Sequence, residues 1–181
     1  ARHLELDGVE WIPLDTTYEV RYPAASYRVP VGREAWIETF ARQHPGQERA
    51  LIDLVDLCER VSRQFSRLPI TPDPASLARL PREAPLILRY LNANVLDVLA
   101  SRLDARRLVR AVSSLCEPYL DLPPARTSFL AWAAETTSYM TGTHYCRGGL
   151  QTLADSFVAA VERRGGSLAL GTEVTAISTR A

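Results

Sequence analysis

Three carboxylates on one predicted helix are the first candidates for chemistry. Asp53, Asp56 and Glu59 follow one another at spacings of three, so they share one helix face. Paired carboxylates can act as general acid and general base. Arg60 and Arg63 stand beside them, and ion pairs with these arginines account for the pattern without a catalytic role. The sequence favours a solvated, ion-paired face.

The metal-ligating and nucleophilic side chains are widely separated. The sequence holds three histidines and three cysteines: His3, His44, His144, Cys58, Cys116 and Cys146. The cysteines lack the spacing of a zinc site or of a disulfide framework. Ser113 and Ser114 have no general base at a recognisable spacing. His144 lies beside Tyr145, and the sequence favours a hydrogen-bonded structural role for it over a place in a pocket. No metal site is predicted, and no residue is assigned a catalytic role.

Composition narrows the possible partners. Basic and acidic residues balance at 21 each, so the net charge is zero and no nucleic-acid partner is expected. All of the basic residues are arginines, and they are interleaved with acids along the chain. No apolar run reaches the length of a membrane span, and the cysteine usage indicates a reducing, cytoplasmic compartment. The abrupt ends at Ala1 and Ala181 indicate a piece of a longer protein.

The sequence predicts strands followed by helices as the elements that position the candidate residues. Between residues 10 and 31, β-branched and aromatic residues around a turn at Pro23 predict a β-hairpin or two edge strands, whose pairing the prolines limit. After Gly32, apolar residues recur at helical spacing. Asp73 followed by Pro74 marks a helix start, because Asp caps the first turn and Pro suits its first position. The predicted helices span 35–44, 47–68, 73–80, 83–91, 94–103, 104–118 and 126–140.

The first predicted helix carries an apolar face that has two interpretations. Trp36, Ile37 and Phe40 lie together on it, with Arg33 and Arg42 nearby. Helices that lie in a membrane interface have this arrangement, so peripheral membrane contact is one interpretation. Packing on the protein core is the other, and the sequence favours it.

The segment 144–181 differs in character. Gly148 and Gly149 precede a helix that Gly165 and Gly166 end. One helical stripe is apolar: Leu150, Leu153, Ala154, Phe157, Val158 and Val161. Two short strands are then predicted around Gly171 and Thr172, on apolar residues Leu168, Leu170, Val174 and Ile177. The order of glycine turn, helix and strands is typical of part of an α/β domain.

A resemblance makes the chemistry more specific. Residues 145–153 read Y-C-R-G-G-L-Q-T-L, and Gly165-Gly166 and E-V-T-A-I at 173–177 follow. This segment resembles the Y-P-x-G-G-x-x-x-L … G-G … x-V-x-x-I pattern of the phytoene-desaturase, carotenoid-isomerase and retinol-saturase-like flavoproteins, relatives of the amine oxidases. A looser likeness covers nearly the whole chain, including 11–36, 89–99 and 120–124.

The resemblance implies that the whole protein uses FAD and acts on a hydrophobic small molecule. It places the strand of Val174 beside the adenine of FAD, with contact through main-chain groups. It also gives Gly148 and Gly149 a close-packed turn, whereas their spacing alone favours a plain turn. Cys146 stands where the family has proline, and no G-x-G-x-x-G phosphate loop occurs in the sequence. We therefore do not expect this chain alone to hold FAD.

Together these observations predict an α+β architecture in two parts. Residues 1–143 form a substrate-binding domain, with a small antiparallel sheet piece at 1–32 and helices at 33–143. Residues 144–181 form a partial FAD-domain helix–strand unit. For the whole protein the prediction is FAD-dependent desaturation or isomerisation of a carotenoid or other isoprenoid, with the cofactor carrying the chemistry. The alternative is a non-enzymatic helical module that binds an apolar ligand or partner.

Overall fold

Two-stranded sheets and a larger set of helices form the α+β fold that the sequence predicts. The computed structural model describes residues 8–23, 25–69, 71 and 73–179. The strands are β1 (Trp11–Leu14), β2 (Thr16–Tyr22), β3 (Ala25–Pro30) and β4 (Thr143–Cys146). The helices are α1 (Arg33–Gln43), α2 (Glu48–Phe65), α3 (Pro74–Glu83), α4 (Pro85–Arg89), α5 (Val95–Ala100), α6 (Arg106–Val112), α7 (Cys116–Leu120), α8 (Phe129–Thr141) and α9 (Leu150–Arg163), with a 3-10 turn, Ser113–Leu115, before α7.

Strands β2 and β3 form the predicted hairpin. They pair antiparallel, with Tyr22 opposite Ala25 at the turn and Val20 opposite Tyr27. On β3 the buried side chains of Tyr27 and Val29 alternate with exposed ones, because successive side chains of a strand point to opposite faces. The hairpin therefore presents one face to the core.

The apolar face of α1 lies in the core. Trp36, Ile37 and Phe40 are 3%, 6% and 0% exposed. The rings of Trp36 and Phe40 are 4.6 Å apart between centroids, and Phe40 stacks on Tyr27 of the hairpin at 5.4 Å. These contacts confirm the core-packing interpretation. Because its side chains are already covered, this face does not offer a membrane surface, and peripheral membrane contact of the protein stays a prediction.

Helix α2 buries most of its predicted stripe and ends earlier than the pattern suggests. Leu51, Leu54, Val55, Cys58 and Val61 are at most 1% exposed. Phe65, the last member of the predicted stripe, is 50% exposed in the final residue of the helix. The helix packs against α1, α4 and α8, so its apolar face is the centre of this core.

The capping prediction at Asp73 is confirmed, whereas one long predicted helix is broken. The Asp73 carboxylate accepts a hydrogen bond from the Ser76 N–H at 2.6 Å, and the Asp73 N–H donates to the Ser76 hydroxyl at 2.9 Å. The predicted helix 104–118 is divided into α6, the 3-10 turn and α7. Pro118 lacks an N–H, so it suits the first turn of a new helix better than the interior of a long one.

The chain divides into two compact units. The larger unit is 14–143, and the smaller one combines the segment that ends at Pro13 with the segment that begins at His144. The strands predicted after α9 are wrong: residues 167–179 contain no strand. Strands form by pairing, and within the described residues no strand pairs with this segment. The assignment of substrate-binding and FAD-binding roles to 1–143 and 144–181 stays a prediction.

The buried thiols predict a pH dependence of stability. Burial raises the pKa of Cys58 from 9.0 to about 12 and that of Cys116 to about 11. The unfolded chain releases these protons near pH 9, whereas the folded chain keeps them, so the stabilising effect is complete below pH 9 and is lost as the pH rises toward 11–12. We expect the free energy of unfolding, measured with urea, to fall over this range.

The variant Cys58→Ala isolates the contribution of one thiol. Its stability should fall less steeply between pH 9 and 11 than that of the natural chain, whatever its stability at pH 7. Equal slopes for the two chains would show that Cys58 does not titrate abnormally.

Candidate functional site

The glycine pair that carries the family resemblance has backbone angles that other residues rarely adopt. Gly148 has φ +82° and Gly149 has φ +93° with ψ 173°, and Gly149 directly precedes α9. The second combination is essentially restricted to glycine. A side chain at position 148 would also meet the Thr152 hydroxyl, 2.7 Å from its Cβ. The requirement for glycine is therefore confirmed, but it comes from backbone angles and a side-chain contact rather than from a neighbouring backbone.

Strand β1 and the residue before it hold this glycine turn from the other end of the chain. Strand β1 pairs with β4, which leads into the turn. The Arg147 N–H donates to the Glu10 carbonyl at 2.9 Å, and its guanidinium donates to the Glu10 carboxylate at 2.6 Å. Cys146, in the family's proline position, is fully buried. Main-chain pairing therefore fixes the approach to the turn.

Helix α9 leaves much of its apolar stripe uncovered. Leu150, Phe157 and Val161 are 65%, 42% and 49% exposed, whereas the buried positions are the small residues Ser156 and Ala160. Apolar surface of this kind is available for contact with another segment or partner. The predicted stripe is thus real as a pattern, but the described part of the chain does not cover it.

Val174 lies in the irregular segment after α9 and is 75% exposed. Leu170 and Ile177 on either side are 83% and 88% exposed. Within the described residues, neither the N–H nor the C=O of Val174 has a backbone partner. Its main-chain groups are therefore available for pairing, and contact with an adenine stays a prediction.

The acidic face of α2 is an ion-paired surface, as the sequence predicts, and Arg63 is the one of the two expected arginines that takes part. Arg33 of α1 binds Asp56 and lies 3.2 Å from Glu59. Arg49 pairs with Asp53 at 3.1 Å. The expected partner Arg63 is 3.8 Å from Glu59, and Arg60 forms no ion pair with a described acid. Arginine pairs on all three carboxylates argue against acid–base catalysis here.

The histidines and cysteines do not converge on a site. His44 accepts or donates a hydrogen bond with the Tyr27 hydroxyl at 2.9 Å, which is a structural role. His144 is exposed on β4, without the expected structural hydrogen bond to a described residue, and His3 lies outside the described residues. The three cysteines are buried and free, and the described residues contain no group of three or more side chains that could hold a metal ion.

Sequence reasoning missed a cleft between the hairpin and α6. Tyr22 and Tyr27 line it together with Arg107 and Arg110. The two tyrosines are some eighty positions from the two arginines in the sequence, so no local pattern of residues predicts that they lie together. The only available signal was the pair of arginines at i and i+3 on one helix.

Substitution of Gly149 tests the backbone requirement. We expect Gly149→Val and Gly149→Asn to destabilise the chain by about 1–3 kcal/mol, because both must adopt angles that side chains disfavour. Glu162→Ala, at an exposed position of the same helix, is the control and should change stability little. Thermal melts that show no loss for either Gly149 variant would contradict the requirement.

Comparison with known proteins gives one relative and no family assignment. No protein-family profile matches the chain. The chain is similar to all-trans-retinol 13,14-reductase of Danio rerio, with 25% identity over an alignment of 181 residues. The alignment covers 93% of this chain and 30% of that protein, so the chain spans less than a third of the relative's length. In the described residues, no helix is long and apolar enough to cross a membrane. The similarity supports the resemblance to the retinol-saturase-like flavoproteins.

Proposed function

We propose that this chain is part of an FAD-dependent oxidoreductase that transfers hydride between the flavin and an isoprenoid polyene. The observation that carries the proposal is the similarity to a retinol reductase, which extends over 93% of the chain. The name of that relative describes reduction of a double bond in an isoprenoid alcohol. Reduction is therefore our first choice of reaction, and desaturation and isomerisation are the alternatives.

The residues of this chain do not form a complete flavin site. The sequence has no G-x-G-x-x-G loop to hold a pyrophosphate at a helix N-terminus. The segment around Val174 offers unpaired main-chain groups, which suit an adenine edge and nothing more of the cofactor. FAD would supply the hydride chemistry when bound. Because this sequence has no phosphate loop, we propose that residues outside this chain contact the phosphates and the flavin ring.

The uncovered face of α9 supports a role within a larger protein. Leu150, Phe157 and Val161 expose apolar surface on one side of a regular helix. We propose that the rest of the flavin domain packs on this face and on the apolar segment that follows it. In this arrangement the glycine turn sets the direction of the helix, and the helix positions the Val174 segment.

Reduction of a polyene double bond would take a hydride from the flavin and a proton from a donor group, and the remaining substrate contacts would be apolar. Among the described residues, carboxylates, histidines and cysteines do not converge on one site. The non-enzymatic alternative, a module that sequesters an apolar ligand, draws on the same exposed apolar surface. The two are distinguished by flavin content and by turnover.

The proposal is tested on the full-length protein. We expect it to purify with bound flavin and, once the flavin is reduced, to convert all-trans-retinol to a product two mass units heavier, as addition of two hydrogens requires. Phytoene and a cis carotenoid, tested in parallel, would reveal desaturation or isomerisation instead. A flavin-free protein that binds retinol without converting it would establish the binding module.

Phe157 tests whether the α9 face is covered. In this chain Phe157→Asp should cost only about 1–2 kcal/mol of stability, because the residue is partly covered, at 42% exposed. In the full-length protein the same change should lower flavin content, since it places a charge in a buried contact. Phe157→Leu, which keeps the surface apolar, should retain flavin. Equal flavin content in the Asp variant would show that this face stays open to solvent.

Val174 tests the proposed main-chain contact with adenine. In the full-length protein Val174→Ile should keep FAD, because a main-chain contact does not depend on the side chain. Val174→Pro should weaken FAD binding, because proline removes the N–H. Circular dichroism must first show that the proline variant is folded. A folded Val174→Pro protein with unchanged FAD affinity would show that Val174 does not donate to the cofactor.

A further inference from the structure

An open cleft of about 180 Å³ lies between the turn of the hairpin and α6. The described residues that line it are Tyr22, Pro23, Ala25, Tyr27, Arg107 and Arg110. This volume is below the ~300–1,000 Å³ of sites that hold drug-sized ligands. The cleft therefore suits a small group and is too small for a whole isoprenoid chain.

The cleft carries two positive charges without a paired acid. Arg107 and Arg110 form no ion pair within the described part of the chain. Glu117 lines a neighbouring cleft with Arg110 but is not within ion-pair distance. Arg33, by contrast, is occupied by acids of α1 and α2. The two cleft arginines thus keep their hydrogen-bonding edges for a ligand.

The surrounding aromatic residues hold one of these arginines in place. The guanidinium of Arg110 lies 5.5 Å from the ring centre of Tyr22, whose hydroxyl donates to the Arg110 carbonyl at 2.9 Å. The Tyr27 hydroxyl is hydrogen-bonded to His44 at 2.9 Å. Both hydroxyls are therefore engaged. The cleft offers guanidinium N–H groups as its donors and tyrosine rings as its walls.

We propose that this cleft binds a phosphate-type anion, either a phosphomonoester or a diphosphate. Each guanidinium presents a planar fork that matches two phosphate oxygens. The terminal oxygens of a phosphate can engage both forks, whereas the two oxygens of a carboxylate fill only one. The apolar part of an organic phosphate would then lie against Tyr22, Pro23 and Ala25. This site is independent of the proposed redox function, because it needs neither flavin nor turnover.

Two probes distinguish a free phosphate from a lipid headgroup. Inorganic phosphate and pyrophosphate are titrated into this chain by isothermal calorimetry at low ionic strength. Vesicles of phosphatidylcholine, with and without phosphatidic acid, are tested by flotation. Binding of the free anions alone assigns the cleft to a soluble phosphate, and selective flotation with phosphatidic acid assigns it to a lipid headgroup. Binding in neither arm overturns the proposal.

Three variants on α6 locate the binding. Arg107→Gln and Arg110→Gln should each weaken binding about tenfold or more, because each removes charge-assisted hydrogen bonds to the anion. Arg106→Gln removes the same charge from an exposed position on the same helix that does not line the cleft, and it should bind like the natural chain.

The comparison stays decisive if Arg110→Gln disturbs the fold through the loss of its contact with Tyr22. Arg107 has no such contact with a described ring, so Arg107→Gln with an unchanged circular dichroism spectrum carries the test. Equal weakening by Arg106→Gln and Arg107→Gln would show a diffuse attraction to surface charge and would overturn the site.

Discussion

Burial of one face of α2 is the interaction on which the larger unit depends. Helices α1, α4 and α8 all pack against this face, and its core residues are almost completely removed from water. Polar contacts secure both ends of the helix. The Gln47 side chain accepts the Asp104 N–H at 3.0 Å, and the Gln64 side chain accepts the Leu86 N–H at 2.9 Å. These two hydrogen bonds give the N–H groups of Asp104 and Leu86 a partner and attach their segments to the ends of α2.

The packing of α2 also determines where its acidic side chains lie. Because the apolar face of α2 packs on the core, its acidic face is exposed to solvent. The acidic side chains there form ion pairs with an arginine of α1 and with an arginine of α2 itself. Exposed pairs of this kind contribute little free energy. These ion pairs do occupy the three carboxylates that were candidates for acid–base catalysis. The unit that results has an apolar core and an acidic surface that arginines neutralise.

The local features of the fold could be predicted from the sequence, and the long-range ones could not. The Pro23 turn, the α2 stripe and the Asp73 cap each depend on residues a few positions apart, and each is found. The strands around Gly171 fail for the opposite reason, since an alternation of apolar residues predicts a strand only where a partner strand exists. For Gly148 and Gly149 the sequence gives the right residue type, and only the backbone angles give the cause.

The candidate sites follow the same division. The predicted contact of Val174 with adenine rests on a family resemblance. The structure adds only that the main-chain groups of Val174 are unpaired within the described residues. The cleft of Arg107 and Arg110 exists because the hairpin turn approaches α6, a contact between segments that share no sequence signal. Tertiary approach of distant segments is what a single sequence does not encode in any local pattern.

The bond between Glu10 and Arg147 has a consequence for synthesis of the protein on the ribosome. The two residues are 137 positions apart, so β1 emerges long before the glycine turn that it holds. Residues 14–143 have their own core and can fold as they are made, since domains generally fold as units during translation. Strand β1 must wait for β4 with its pairing groups exposed. A nascent chain from which residues 14–143 have just left the ribosome would therefore carry a folded larger unit and a strand β1 that still lacks its partner β4.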